Sequence, residues 1–286
     1  MIGFELSEEE NMVRQVAHEF AKKEIRPVAS YYDEHEETPY DLIKKAAAIG
    51  FGISREGGLT EDTASSLIPC ILAEELSWGC AGIALAINSS GLAAAAISAT
   101  GSPEQRALWL PRIASDANEV LLGAMCLTEP DAGSDVANIQ TTAVRDGDDY
   151  VLNGEKQFIT NGGIADVHVV FATEDRTKGW AGLGAYVIPK GTPGLSEGTV
   201  WRKMGIRASH TSNVVLSDCR IPAENKLGAA STGGGSGGPG ALGALMMLER
   251  TRPVVGAYAL GIGRAAYEYA LDYAKGRVQF GKPIIK

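Results

Sequence analysis

The ten residues Cys126–Asp135, which read CLTEPDAGSD, have the side chains and backbone needed to bind a small polar ligand. An apolar run, Val120–Leu127, ends here, and polar turn residues follow it. Glycine and proline give such a turn an irregular backbone path, and serine and threonine hydroxyls add hydrogen-bond donors to the backbone N–H groups. These groups can converge on one flat polar ligand. By composition alone, an ordinary junction between a strand and a loop explains the same residues.

The overall composition argues against a nucleic-acid-binding protein. The chain has 286 residues, of which 45% are hydrophobic and 21% charged, and these values are typical of one large or two ordinary globular domains. Its net charge of −9 and pI of about 5.1 disfavour a nucleic-acid-binding surface. We therefore expect no nucleic-acid partner.

The cysteines and histidines do not have the spacing of metal ligands. There are four of each, scattered along the chain, so we expect reduced thiols and no metal. The N-terminal sequence MIGFELSEEE is acidic and lacks the basic and apolar parts of a signal peptide, which predicts a cytoplasmic location. The most apolar stretch, Ala81–Ala99, is interrupted by Asn88 and Gly91. It is predicted to be a buried helix or helix pair and not a membrane span.

Helices are the first elements that must position the Cys126–Asp135 turn. Ser7 and Glu10 fit a capping box, and apolar residues at helical spacing follow them. Further helical patterns cover Tyr40–Ile49 and a segment that starts near Asp62, and Ser102–Glu104 opens another with proline at its first position. The first 120 residues are therefore predicted to form an all-helical N-terminal domain.

After residue 120 the sequence pattern changes to the alternation typical of strands. Two glycine-containing pairs, Asp146-Gly147 and Asn153-Gly154, have the composition of tight hairpin turns. Three further β-branched or alternating runs follow, at 167–173, 183–188 and 213–216. Because no helical segment separates these runs, residues 121–228 are predicted to form a central antiparallel β domain.

The remaining sequence predicts a loop and then a helix. Residues 229–240 contain STGGGSGGPG, which is typical of a flexible linker or mobile loop; a phosphate-binding loop would need a following Gly-Lys-Ser/Thr, which is absent. Residues 241–286 are predicted to hold the first helix of a C-terminal helical-bundle domain. Within it, Gly261–Ala266 has G-x-G-x-x-A spacing but no preceding strand, so its small residues are predicted to allow close helix packing. The fold class is α+β.

Five motifs, taken in order, resemble those of the acyl-CoA dehydrogenase family. CLTEPDAGSD resembles the flavin-contacting signature of that family. The other four follow it in the family's order: FITNG at 158–162, KMGIRAS at 203–209, RTRP at 250–253 and RVQFGK at 277–282. Together they cover most of the chain. Asn138 is a departure, because a small residue is more usual at the end of the signature.

The resemblance implies FAD as the cofactor and an acyl-CoA thioester as the substrate. Hydrogen-bond donors at the pyrimidine end of a flavin would stabilise the negative charge that develops when N5 accepts a hydride. For Phe158, packing in the core is the alternative, since aromatic residues in strands are usually buried. The cofactor-binding residues that the resemblance implies are Leu127, Thr128, Gly133, Ser134, Phe158, Thr160, Arg277 and Phe280.

Arg277 and Phe280 resemble the family's R-x-x-F pair, which reaches the FAD of a neighbouring subunit. The fork of donors on an arginine suits a pyrophosphate, so the resemblance implies a homo-oligomer, either a dimer or a tetramer. Without the family, Arg277 is explained as a cation near a helix C-terminus. The implied substrate-binding residues are Ser134, Thr251 and Arg252. Arg252 would lie near the CoA end of the substrate, and a surface ion pair is the alternative for it.

The reaction that the resemblance implies is α,β-dehydrogenation. A glutamate removes the α-proton, the β-hydride goes to flavin N5, and the electrons pass to electron transfer flavoprotein. Most members carry this glutamate beyond the position of Lys286, and a minority carry it directly before the arginine at 252, where this chain has Thr251. Glu249 lies two residues earlier, about 200° around a helix at ~100° per residue, and is a poor candidate. The catalytic base is therefore not identified, and we expect a C-terminally incomplete family member.

The sequence is also compatible with two alternatives to a dehydrogenase. The first is a flavin oxidase or monooxygenase of the same superfamily, which would form hydrogen peroxide with acyl-CoA and no other acceptor. The second is a catalytically incomplete or non-enzymatic member, which the absent base and the Gly/Ser-rich insert favour.

Overall fold

The computed structural model describes residues 5–55, 67–228 and 239–286, and for 239–250 it describes the backbone alone. Asp62, near which a helix was predicted to start, lies outside these residues. So does the loop predicted at 229–240, apart from its last two residues, which are helical.

Helices form the first part of the described chain. A π-helical turn (Ala21–Ile25) and a 3₁₀ turn (Arg26–Val28) join the first two of them. The α-helices that precede the sheet are α1 (Glu8–Phe20), α2 (Ala29–His35), α3 (Tyr40–Ala47), α4 (Ile68–Gly79), α5 (Ala81–Ile87), α6 (Gly91–Thr100) and α7 (Pro103–Trp109).

Capping boxes begin α1 and α7. The Ser7 side chain accepts from the backbone N–H of Glu10, and the Glu10 carboxylate accepts from the backbone N–H of Ser7 at 2.7 Å. Ser102 and Gln105 make the same reciprocal pair, with a proline at the first helical position. Each box satisfies two backbone donors that a helix N-terminus otherwise leaves unpaired. Both helix starts that the sequence predicted are thereby confirmed.

The apolar stretch from Ala81 to Thr100 is long and apolar enough to span a membrane, but 61% of it is buried inside the protein. Polar residues at 88–90 divide it into α5 and α6, which confirms the predicted helix pair. Ile83 and Ile97 are fully buried. The Ser90 hydroxyl at the turn accepts from the backbone N–H of Gly123 at 2.9 Å, and this bond ties the helix pair to the first strand.

One seven-stranded sheet follows the helices, in the order β1-β4-β2-β3-β7-β6, with β5 also paired to β4. The longest strand pairing of the sheet joins β3 to β7. The strands are β1 (Gly123–Cys126), β2 (Thr142–Asp146), β3 (Asp149–Thr160), β4 (Val167–Thr173), β5 (Leu183–Pro189), β6 (Leu195–Val200) and β7 (Thr211–Pro222).

The sheet is mixed, and the prediction of a purely antiparallel domain is wrong in two of its pairings. β1 runs parallel to β4 over four residues, and β2 is parallel to β4 at Thr142 and Thr173. A parallel pair needs a long crossover connection. Here the crossover from β1 to β4 contains the Cys126–Asp135 turn and the β2–β3 hairpin, with no α-helix between the strands. The α+β class itself is confirmed.

The core consists of three clusters of buried apolar residues. Apolar side chains such as Leu72, Leu76 and Ile83 fill the space between the helices. A second cluster, which includes Ile113 and Phe171, lies between α6, α7 and the sheet. The third cluster lies among the strands and is made of residues such as Leu152, Tyr186 and Ile221. The apolar residues of β1 therefore lie in the packed interior, and the polar turn begins at the edge of that interior.

A long helix, α8 (Pro239–Gly276), follows the sheet and ends in a small hairpin of β8 (Val278–Gln279) and β9 (Lys282–Pro283). It lies against α4 and α6. A Cβ atom added to Gly261 would meet Glu74 O and Ser77 Oγ at 2.1 Å each, whereas one added to Gly263 would meet nothing within 4 Å. The prediction that small residues here allow close helix packing is confirmed at Gly261.

Candidate functional site

Backbone hydrogen bonds fix the turn that follows β1. Glu129 and Ala132 exchange reciprocal N–H···O=C bonds of 3.0 and 3.3 Å, and the Thr128 carbonyl accepts from Gln157 N of β3 at 2.8 Å. A turn that is closed on itself and tied to a neighbouring strand has little freedom to move. Its outward-facing groups are therefore preorganised for a ligand.

The four turn residues predicted to bind a cofactor differ in exposure. Leu127 is buried and Thr128 half-buried, whereas Gly133 and Ser134 are exposed. A Cβ atom added to Gly133 would meet nothing within 4 Å, so open space adjoins the Ser134 hydroxyl. The turn therefore presents free surface beside a hydroxyl group and the backbone.

A buried ion pair lies beneath the turn. Lys156 Nζ of β3 lies 2.7 Å from Glu129 Oε1, and both side chains are almost fully buried. Lys156 Nζ also donates to the carbonyl of Leu127 at 3.1 Å. The Glu129 carboxylate accepts further from the backbone N–H groups of Gln140 at 2.6 Å and Thr141 at 3.0 Å. The two charges thus join β1, β2 and β3 at the point where the turn begins.

These contacts determine the pKa of Glu129. Burial raises the pKa of its carboxyl group, but the Lys156 charge and the hydrogen bonds from Lys156, Thr141 and Gln140 outweigh burial, so the pKa lies below its usual value. A carboxylate whose pKa is lower in the folded than in the unfolded state stabilises the fold above its ordinary pKa. That contribution is lost as the pH falls through the lowered pKa.

Glu129→Gln should therefore flatten the acid part of the stability profile. Urea midpoints measured from pH 7 to pH 3 should fall less steeply below about pH 5 in the variant than in the wild type, because only the wild type must protonate Glu129 on unfolding in acid. Parallel profiles below that pH would show that Glu129 has the same pKa in both states.

Phe158 lies at a β-bulge on β3, with a φ of 59°. The register of β3 against β7 shifts between Lys156 and Ile159, and the Phe158 side chain is 55% exposed. The alternative that Phe158 packs in the core is wrong, because the bulge turns its side chain outward. Its ring centroid lies 4.9 Å from that of Trp201. A positive φ at an aromatic residue is strained, and such strain often accompanies a functional site.

Thr160 ends β3 opposite Thr211 of β7. The next residue, Asn161, has a φ of 62° and is buried. Its side-chain Nδ2 donates to the carbonyl of Gly123 at 3.1 Å, which links the end of β3 to the start of β1. The structure therefore places Phe158 and Thr160 on β3, and Thr128, just after β1, is joined to the same strand through Gln157.

Arg277 and Phe280 lie apart from that sheet. They flank and close the small hairpin of β8 and β9, which is a separate two-stranded sheet. Phe280 has a φ of 51° at the hairpin tip and is 99% exposed, and Arg277 is also exposed. Both side chains are exposed, and their predicted role at a neighbouring subunit stays a prediction.

The candidate substrate and base residues on α8 lie near its N-terminal end. Thr251 is half-buried and Arg252 exposed. Glu249 belongs to the same continuous helix, but its side chain lies outside the part that the structure describes. Two positions apart on a helix are separated by about 200°, so residues 249 and 251 belong to different faces of α8.

The residue pattern does not single out Lys156, Trp201 or Asn213. Lys156 follows a glutamate in an exposed-looking strand segment, and the alternation gave no sign that it is buried. A signal for it was available in Glu129, because a carboxylate between an apolar strand and a proline needs a partner once it is buried. Trp201 and Asn213 are joined by a hydrogen bond beside two β-bulges. The residue pattern does not show where bulges occur.

Family models match nearly the whole chain. The N-terminal domain of acyl-CoA dehydrogenase matches residues 7–117, its middle domain matches 124–219 and its C-terminal domain matches 238–286. Among similar proteins, the short-chain specific acyl-CoA dehydrogenase of Clostridium acetobutylicum is 41% identical over 100% of this chain and 73% of the relative. The acryloyl-CoA reductase (NADH) of Anaerotignum propionicum is 39% identical over 99% of this chain and 70% of the relative.

Solved structures show the same similarity. A chain in the structure of the electron transferring flavoprotein of Acidaminococcus fermentans has a TM-score of 0.89 and 38% identity, and butyryl-CoA dehydrogenase from Megasphaera elsdenii has 0.88 and 37%. Both matches cover 100% of this chain and 73% of the other. Glutaryl-CoA dehydrogenase from Mycobacterium smegmatis, in complex with FADH2, has a TM-score of 0.83 and 31% identity over 98% of this chain and 68% of that one. The chain therefore belongs to the acyl-CoA dehydrogenase family.

Proposed function

We propose that this chain binds FAD against the Cys126–Asp135 turn and acts in the α,β-dehydrogenation of an acyl-CoA thioester. FAD is the cofactor of the family, and a similar structure holds its reduced form. One observation carries the proposal. The buried Lys156–Glu129 pair and the bond from Gln157 to Thr128 hold the turn beside the strand that presents Phe158 outward.

The residues present fit a flavin. Phe158 offers an exposed aromatic ring on a strained bulge, and an aromatic face suits a flat ring system. The hydroxyls of Thr128, Ser134 and Thr160 can donate to polar edge atoms. Gly133 leaves open space where a side chain would obstruct the approach. This donor set matches a ligand that is flat, aromatic and polar along one edge.

FAD, when bound, supplies a two-electron acceptor for the β-hydrogen of the substrate. The chain's own residues bind the cofactor and orient it. Hydroxyl and backbone donors of the turn would stabilise negative charge along the polar edge of the cofactor, because donors fixed in advance need no reorganisation during the reaction. The buried ion pair keeps those donors in place.

The names of the relatives support a short acyl-CoA as the substrate, since one is short-chain specific and another is a butyryl-CoA dehydrogenase. Thr251 and Arg252 on α8 and Ser134 on the turn are the proposed substrate contacts. Electron transfer flavoprotein is the proposed electron acceptor, because a chain of similar fold occurs in a structure of that protein. Arg277 and Phe280, exposed at the end of α8, are proposed to reach the FAD of a second copy.

The α-proton needs a base, and the proposed contacts do not include one. Thr251 cannot act as a carboxylate, and residue 249 belongs to a different face of α8. We therefore propose that the base is a glutamate outside these contacts. A catalytically incomplete member is the second candidate function, and Thr251 at a position where some relatives carry the base is the observation that favours it.

Adding FAD to the purified chain, followed by anaerobic butyryl-CoA, tests the proposal. We expect the chain to bind FAD and butyryl-CoA to bleach the flavin absorbance at about 450 nm. FAD binding without bleaching by butyryl-CoA or longer thioesters would favour the catalytically incomplete member. Steady hydrogen peroxide formation in air would favour an oxidase. A protein that cannot be loaded with FAD would contradict the whole proposal.

Thr128→Val should weaken FAD binding by about two- to twelvefold, which corresponds to the net loss of one hydrogen bond of roughly 0.5–1.5 kcal/mol. Isothermal titration of FAD into both proteins measures the ratio, and urea unfolding should show a much smaller change. Thr142→Val, which changes a threonine of β2 that is half-buried like Thr128, is the matched control and should leave the affinity unchanged. Equal FAD affinities for Thr128→Val and the wild type would remove Thr128 from the site.

A further inference from the structure

Asn213 of β7 faces a register shift on each of its two neighbouring strands. On one side of it, the register of β3 shifts between Lys156 and Ile159, which face Val214 and Ser212. On its other side, β6 shifts register between Glu197 and Val200, which face the same two residues. Asn213 is therefore the one residue of β7 that faces a bulge on both neighbouring strands. Its side chain is 5% exposed.

Both ends of the Asn213 amide are used. Trp201 Nε1 donates to Asn213 Oδ1 at 2.7 Å, and Asn213 Nδ2 donates to Glu155 Oε1 at 2.6 Å. An indole N–H can only donate and a carboxylate only accepts. The orientation of the amide is thus determined by its two partners, because a flipped amide would lose both bonds.

The network ends on the exposed aromatic residue of the site. The indole of Trp201 packs against Phe158 with ring centroids 4.9 Å apart and an angle of 48° between the planes. Trp201 is also tied by its backbone, since its N–H donates to the carbonyl of Thr211 at 2.9 Å. Its ring orientation depends on the bond to Asn213. The Phe158 ring, on a strained bulge, depends in turn on the indole beside it.

We propose that Asn213 is a positioning residue, which holds Trp201 against Phe158 and so orients the aromatic wall of the flavin site. The inference rests on the proposed binding of FAD beside Phe158. Asn213 does not touch the flavin in this account. It acts through the indole N–H, with Glu155 fixing the amide from the other side.

The first measurement needs no flavin. Near-UV circular dichroism of the wild type minus Trp201→Phe gives the signal of an ordered Trp201 indole. We expect Asn213→Ala to lose the same signal, because the indole is no longer held. Asn153→Ala is the matched control, since Asn153 also bonds through both amide ends, to Asp218, on an exposed part of β3. An unchanged Trp201 signal in Asn213→Ala would overturn the proposal whether or not FAD binds.

The second measurement is FAD affinity. Asn213→Ala and Trp201→Phe should each weaken binding by about threefold to tenfold, where tenfold corresponds to ~1.4 kcal/mol. The double variant should be no weaker than either single one, because both changes break the same bond. Asn153→Ala should bind FAD as the wild type does.

The outcomes separate this inference from the proposed function. If the wild type binds FAD and Asn213→Ala binds it equally well, the positioning role is overturned and the proposed function stands. Additive losses in the double variant would also overturn it, since Asn213 would then act independently of Trp201. A wild type that does not bind FAD overturns the proposed function and this role together.

Discussion

Lys156→Met should lower the free energy of unfolding by about 3–5 kcal/mol, the usual cost of removing one partner from a buried ion pair. Methionine fills a similar volume, so the loss comes from charge and hydrogen bonding and not from a cavity. Without Lys156 Nζ, the Glu129 carboxylate is buried without its counter-ion and the Leu127 carbonyl loses a donor. Urea denaturation at pH 7 measures the change.

The double variant Glu129→Gln/Lys156→Met isolates the electrostatic cause. Its glutamine can still accept from the backbone N–H groups of Gln140 and Thr141, and no unpaired charge remains. We expect it to recover most of the stability lost in Lys156→Met, because an uncompensated buried charge costs more than a missing pair. Arg220→Met, which breaks exposed ion pairs with Asp146 and Asp149 in the same sheet, is the control and should change little. A double variant as unstable as Lys156→Met would mean that packing, not charge, dominates.

Why the sequence did not reveal Lys156 is a matter of distance along the chain. Its partner lies 27 residues earlier, on another strand, and nothing within the local segment marks the lysine as buried. The turn at Glu129 could be predicted to carry function because its residue types are unusual by themselves. The pair that holds this turn in place arises only when β3 folds against the turn that follows β1.

The same limit explains the sheet and Phe158. The helix starts at Ser7 and Ser102 were predictable because a capping box and a proline at the first helical position both lie within four residues. The parallel pairing of β1 with β4 joins residues 44 positions apart, and local alternation carries no information about it. The residue type favoured a buried Phe158, because aromatic residues in strands are usually buried, but the bulge against β7 reverses the direction of its side chain. Turns and caps are local, whereas register and bulges belong to pairs of strands.

Gly261→Ala and Gly263→Ala should change stability in opposite directions, although the two positions are only two residues apart on the same helix. At Gly263 nothing lies within 4 Å of an added Cβ, so alanine should stabilise α8 by about 0.8–1 kcal/mol through helix propensity. At Gly261 the added Cβ would lie 2.1 Å from a backbone oxygen of α4 and from Ser77 Oγ. Overpacking of this kind costs about 1–3 kcal/mol, occasionally more, and exceeds the gain in propensity.

The clash at Gly261 also breaks specific bonds, and that makes the test sharper than a comparison of stabilities. Ser77 Oγ donates to the carbonyls of Glu74 and Tyr258, so a methyl group between the helices must displace the bridge that joins α4 to α8. Hydrogen exchange should therefore rise along α8 in Gly261→Ala and stay unchanged or fall in Gly263→Ala. Trp78 Nε1 of α4 donates to Glu268 of α8 at 2.7 Å. The fluorescence of Trp78 should therefore also change if the two helices move apart. Equal protection of α8 in the two variants would show that α4 moves aside at little cost, and that Gly261 is not required for this helix contact.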